Sequence, residues 1–193
     1  YKNGAVVLHL DASHPDILEF VNMPRHEIPW AKRCVNLSNI MWTKADDAVK
    51  EAILKGIARG DIWLAKIRSD QHGDRIYANV CLEVFLKSRG TCLLEHINLG
   101  ACKPEDIPSA FIQGMSELID LHAKTGVENT GEYLTQEEDR QVGLGMLGLA
   151  NLLALEEVTY AEFGEALTAH NYPEGDYITT PAARKIVKEL QLG

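Results

Sequence analysis

Three residues in one short segment, Asn79-Val-Cys-Leu-Glu83, carry the most chemistry in the chain. Asn79, Cys81 and Glu83 bring together a hydrogen-bonding amide, a redox-capable thiol and a proton-accepting carboxylate. In an extended backbone, side chains at i, i+2 and i+4 share a face. The spacing therefore predicts that the three point into one interior cavity, with Val80, Leu82 and Val84 turned to an apolar wall. The residues by themselves leave a plainer alternative open: an edge strand with a polar face and a cysteine buried as a small hydrophobe. Cys92 lies past a turn at Ser88-Arg89. A simple hairpin through that turn would set it opposite Phe85, not Cys81.

A second motif is Gly143-Leu-Gly-Met-Leu-Gly148, a literal G-x-G-x-x-G with Glu165 downstream. A dinucleotide-dependent oxidoreductase built on Gly143–Gly148 would need a strand immediately before it. The lead-in Gln136-Glu-Glu-Asp-Arg-Gln141 is too polar for a buried parallel strand. Thr135-Gln-Glu-Glu138 instead resembles a helix-capping signature. The expectation is a helix through this region to Leu155, with glycines that allow close packing and no bound dinucleotide. Glu137–Asp139 read as its solvated first turn, where acids suit the helix dipole. The seven histidines form no metal-ligand spacing, and His9 and His96 read as hydrogen-bonded core residues of strands.

Composition bounds the rest. The chain has 193 residues, 46% hydrophobic and 24% charged, with a formal net charge of −9. That is an ordinary globular composition. It argues against non-specific binding to a nucleic-acid polymer, which needs a basic surface. No run of apolar residues is long enough to span a membrane, and no signal-peptide pattern opens the chain. Cys34, Cys81, Cys92 and Cys102 contain no C-x-x-C, so neither a zinc ribbon nor a thioredoxin motif is present. A reducing, cytoplasmic compartment is expected. The chain opens without Met, directly into a strand, as a fragment or a processed piece would.

Strands or extended runs are expected at Ala5–Leu10, Arg33–Ser38, Ile76–Leu86 and Thr91–Leu99, and Ile62–Ile67 is an aromatic and aliphatic run. Helices are expected at Asp16–Val21, at Lys44–Arg59 capped by Thr43, at Pro104–Lys124 closed by Gly126, from Thr159 to His170, and from Thr180-Pro181 to Leu190. Strands lead and helices follow without a linker, so residues 1–193 read as a single α/β or α+β domain.

Taken together, the segments resemble the large, catalytic subunit of ribonucleotide reductase. Asn79-Val-Cys-Leu-Glu83 is similar to the family's Asn-x-Cys-x-Glu finger loop, and Thr91-Cys-Leu-Leu-Glu-His-Ile-Asn-Leu99 to the strand after it. Arg140–Ala150 is similar to a glycine-patterned helix of the family. Lys2-Asn-Gly-Ala5 and His14-Pro-Asp-Ile-Leu-Glu-Phe20 resemble a strand and helix further upstream. The matches keep family order along nearly the whole chain.

The resemblance implies part of a ten-stranded α/β barrel, with Cys81 on a loop threaded through its centre. That threading would supply the meeting of Cys81 and Cys92 that a hairpin does not. The implied activity is reduction of ribonucleotides, as diphosphates, for DNA precursor synthesis under allosteric control. Cys81 would carry the thiyl radical, Glu83 would be the base and Asn79 would hold the ribose hydroxyls. Cys92 would be one of two reducing thiols that end as a disulfide. The second thiol, the phosphate loop, the tail cysteines and the effector site are expected outside these residues, so the piece alone is expected to be inactive. Cys34 and Cys102 match no catalytic position and read as structural.

The implied partners are the ribonucleotide, the remaining segments of the catalytic subunit, a thioredoxin-type reductant and, when complete, a second copy in a homodimer. No directly bound metal or cofactor is expected. The radical would come from a metal-containing small subunit or from adenosylcobalamin. Asn-x-Cys-Leu-Glu leans to the small-subunit branch. Besides the dinucleotide enzyme, a non-catalytic barrel fragment remains the alternative.

Overall fold

The computed structural model describes residues 4–124 and 133–193. Its contacts divide the chain into two compact units, Tyr1–Gly90 and Thr91–Gly193.

The first unit alternates strands and helices: β1 (Val6–Asp11), α1 (Ile17–Asn22), β2 (Ala31–Leu37), α2 (Asn39–Lys44), α3 (Asp47–Ala58) and β3 (Ile62–Lys66). The three strands form one parallel sheet in the order β1-β2-β3, with His9 opposite Cys34 and Asn36 opposite Ala65. Alternation sends Leu10, Val35 and Ile62 to one face, where they pack with Ile17 and Val21 of α1 and Ala52 and Ile53 of α3. Each fully buried aliphatic side chain in that layer contributes about 1.5–3 kcal/mol.

The other face carries Val7, Cys34 and Ala65, and it is covered by Ala78, Leu82 and Phe85. These come from a small antiparallel meander, β4 (Arg68–Ser69), β5 (Arg75–Ala78) and β6 (Phe85–Leu86), in the order β4-β5-β6. Its first turn is closed by Asp70, whose carboxylate accepts from the backbone N–H groups of His72 and Asp74.

The expected helix over Lys44–Arg59 is two helices. Ser38 caps the first by accepting from Met41 N, and Ala45 interrupts in an extended conformation. Thr43 is not a cap, because its hydroxyl donates to the Asn39 carbonyl within α2.

In the second unit β7 (Leu93–Asn98) pairs in parallel with β8 (Val142–Leu147). Around them stand α4 (Ile107–Lys124), α5 (Leu149–Leu155), α6 (Tyr160–Asn171) and α7 (Pro181–Leu192). Ile97, Leu99, Ile107, Leu152, Leu153 and Ile186 form its core. Thr159 and Glu162 close a reciprocal capping box, and Thr180 caps α7 with Pro181 in its first turn. Gly126 and Lys2-Asn3 lie outside the described residues.

Two expectations for this unit are corrected. Val142–Leu147 is a strand, not a helix. Glycine at every second position costs a helix about 1 kcal/mol each, whereas in a strand it leaves one face bare. The side chains of Leu94 and His96 lie against that bare face at Gly143 and Gly145. The Thr135–Glu138 signature closes only one turn, with Asp139 N also bonded to the Thr135 carbonyl. The architecture is thus mixed α/β with parallel pairing. Among the described residues no barrel closes, because the sheets end in unpaired edges.

Candidate active site

The segment with the chemistry is not an extended strand. Residues 79–84 form the connection between β5 and β6, and Asn79 organises it with its backbone and its side chain. Asn79 N donates to the Val84 carbonyl at 2.8 Å, and Leu82 N donates to the Asn79 carbonyl at 3.1 Å. The Asn79 amide donates to Glu83 Oε1 at 2.8 Å, while its oxygen accepts from Val84 N at 3.3 Å. Asn79 and Glu83 therefore do meet, but through a turn rather than along a common strand face. The shared interior cavity expected from the spacing does not form among the described residues, because the chain turns at this segment: Cys81 stands at the tip and is exposed, as is Glu83.

Leu82 holds the turn down. Its φ is +73°, a left-handed conformation that costs a branched side chain about 1–2 kcal/mol. Packing of Leu82 against the Cys34–Ala65–Ala78 cluster offsets that cost. Strained backbone of this kind concentrates where function needs a fixed geometry.

A polar chain ties the base of the loop to the parallel sheet. His9 Nε2 lies 3.0 Å from the Ala78 carbonyl and Nδ1 lies 2.9 Å from Asn36 Oδ1. The Asn36 amide donates to Asp11, which Arg75 grips with both terminal nitrogens at 2.9 and 3.2 Å. The Arg75 guanidinium holds the Asp11 carboxyl below its usual range, and Asp11 in turn raises Arg75. His9 is the hydrogen-bonded strand residue expected. His96 instead is exposed.

Cys92 belongs to the second unit and is exposed just before β7. The strand that follows it, β7, pairs in parallel with β8 within the same unit. Thr91 N donates to Asp139 Oδ2 at 3.0 Å, and Gln141 N donates to the same carboxylate. Asp139 is only 6% exposed, so it is no solvated first-turn acid but the clamp beside Cys92.

Of the cysteines read as structural, Cys34 is fully buried, and Cys102 donates to the Asn98 carbonyl at 3.4 Å. Burial pushes the Cys34 thiol up to about 11. Iodoacetamide at about pH 8 is expected to label Cys81 and Cys92 in the native chain and to reach Cys34 only after denaturation. Peptide mass mapping reads this directly. Native labelling of Cys34 as fast as Cys81 would refute the layer that covers it.

The glycine motif does not form a dinucleotide turn. Gly143 and Gly145 sit inside β8, and only Gly148 occupies the strand-to-helix junction. The dinucleotide fingerprint needs its first glycine at the turn itself. Among the described residues, no group of three or more His, Cys, Asp and Glu side chains could hold a metal ion. No described helix is long and apolar enough to cross a membrane.

Residues 65–180 match the family model for the ribonucleotide reductase barrel domain, more than half of the chain. The chain belongs to the ribonucleotide reductase barrel-domain family. No curated protein matches it. The family match encloses the Asn79–Glu83 loop, Cys92 and the strand Val142–Leu147 of this reductase-family chain, and begins after β1 and β2. His9 and Asp139 were not singled out as site-supporting residues from sequence. Both act through partners remote in the chain, 69 residues away for Ala78 and 48 for Thr91.

Proposed function

We propose that this chain is the part of a ribonucleotide reductase catalytic subunit that carries the radical thiol and one reducing thiol. One observation carries the reading: the family match encloses a turn in which Asn79 and Glu83 are hydrogen-bonded with Cys81 between them. On this reading the chain completes its ten-stranded barrel with the remaining segments of the subunit, and the loop is the barrel's central finger.

The Cys81 thiyl radical takes the 3′ hydrogen of the ribose. Glu83 accepts the 3′-OH proton while a reducing thiol protonates the 2′-OH, which leaves as water. Asn79, already within reach of Glu83, orients the ribose hydroxyls. Cys92 and a second thiol supply two electrons and end as a disulfide, which a thioredoxin-type protein re-reduces. The substrate is a ribonucleoside diphosphate, and the complete subunit is a homodimer under allosteric control.

The radical source is a metal-containing small subunit or adenosylcobalamin. On the first branch the metal is the small subunit's own.

The test is deoxyribonucleotide formation by the complete catalytic subunit containing this chain, with a radical source and a dithiol. Turnover is expected for the wild type. In Cys92→Ser, hydrogen abstraction still begins but reduction fails, so free base is released from decomposing substrate. A Cys92→Ser subunit with a normal deoxyribonucleotide yield would remove Cys92 from the redox pair. A wild-type subunit that neither reduces nor decomposes substrate would leave the non-catalytic barrel reading.

A further inference from the structure

We propose that His9 is a positioning residue for the Asn79–Glu83 loop, and that it pins the loop to the parallel sheet as a doubly protonated imidazolium. The far end of the polar chain fixes the direction of every bond in it. Asp11 is held by Arg75 through two hydrogen bonds, and an ionised carboxylate only accepts. The Asn36 amide must therefore turn its NH2 toward Asp11, which it meets at 2.9 Å. Its oxygen is then fixed toward His9 Nδ1, also at 2.9 Å. Asn36 is 2% exposed, so no water substitutes freely for either bond.

The other ring nitrogen, Nε2, faces the Ala78 carbonyl at 3.0 Å, and a carbonyl also only accepts. Both nitrogens of His9 thus face acceptors. A neutral imidazole has one N–H and one lone pair, so it satisfies one acceptor and opposes the other. The imidazolium donates to both. The bond to Ala78 and the bond to Asn36 are made together only when both ring nitrogens carry a proton.

The charged and titratable groups around the ring fit this. On β1 Asp11 supplies a negative charge, neutralised by Arg75 of β5. Tyr77, also on β5, sets its ring 5.7 Å from that of His9 at a tilt of 60°. On β2 the neighbour in register is Cys34, a buried neutral thiol, and Lys32 on the same face sits over Trp63 at 4.9 Å. From β4, Arg68 lies over Phe85, and Glu83 of the loop is engaged by Asn79.

The bearing on catalysis rests on the loop reading proposed above. The test does not, so the two fail separately. Amide hydrogen exchange on the full chain, corrected for intrinsic rates, is followed at Asn79 and Leu82 from about pH 5.5 to 8, where histidine changes charge. Protection at these two amides is expected to fall by about five-fold or more as pH rises, the worth of one hydrogen bond. Protection at Val35 in the sheet is expected to stay level. In His9→Gln, which is neutral throughout, the profile is expected to be flat at the lower value. Wild-type protection that does not change with pH would overturn the proposal. So would His9→Gln with the wild-type pH dependence, which would assign the effect to another group.

Discussion

Cys81→Ser is expected to abolish deoxyribonucleotide formation by the complete subunit while leaving the loop folded. Serine is close in size, and Cys81 is exposed at the tip of the turn, so neither core packing nor the Asn79 hydrogen bonds are disturbed. What changes is the bond to hydrogen. An O–H bond is too strong for the side chain to form and pass on a radical at a useful rate. Glu83→Gln is the informative companion. The glutamine carbonyl still accepts from the Asn79 amide, so the turn is kept and only the proposed base is lost. The expected loss in turnover is about 10²–10⁴-fold, the range for a missing general base. Product formation is measured for both variants with the same radical source, and the exchange protection of Leu82 reports whether the turn survives. Near-wild-type turnover by Cys81→Ser would end the radical assignment. A loss in Glu83→Gln that tracks lost protection at Leu82 would show that Glu83 acts on the fold and not on the proton.

Residue types singled out the candidate segment, and its local geometry was not legible in them. Spacing set Asn79, Cys81 and Glu83 on one face of an interior cavity; instead Asn79 and Glu83 meet by a turn that the alternation of Val80, Leu82 and Val84 conceals, and Cys81 and Glu83 are exposed. Nothing local favours a leucine at φ +73°; the packing of its side chain on Cys34 and Ala65 does, and that partner surface lies on other strands. The strands β1 and β2 and the caps at Thr159 and Thr180 were readable because each rests on a short-range pattern. Asp139 was not, since the same Thr-x-x-Glu signature that opens α6 closes only a single turn at Thr135. A capping box satisfies two backbone groups, and whether a helix continues depends on the residues beyond its first turn. After Thr159 come helix formers, whereas after Thr135 comes a run with glycine at alternate positions. That period of two was the available signal for β8.

The glycine that the fold needs most is Gly148, and Gly148→Ala is expected to destabilise the chain by about 2–5 kcal/mol. Two costs add. Its φ is +76°, which an L side chain adopts at a penalty of about 1–2 kcal/mol. An added Cβ would also stand 2.6 Å from Asn98 Oδ1 and 2.8 Å from Gly100 N. The second contact is with backbone, in the turn that carries fully buried Leu99, so relief requires moving the core at a cost of about 1–3 kcal/mol. Gly145→Ala is the control. Its Cβ would meet the His96 ring, an exposed side chain that swings aside, and the expected change is within about 1 kcal/mol. The two substitutions are compared by urea unfolding monitored by far-UV circular dichroism. Tryptophan fluorescence is the wrong probe, because Trp30, Trp42 and Trp63 all lie in the first unit. The order also discriminates between uses of the motif. Glycines held for strand-to-helix geometry make Gly148 the sensitive position, whereas a phosphate-cradling turn would make Gly143 and Gly145 the ones whose loss is felt, and in binding more than in stability. Equal stability of Gly148→Ala and the wild type would mean that the left-handed junction between β8 and α5 is not how this chain turns.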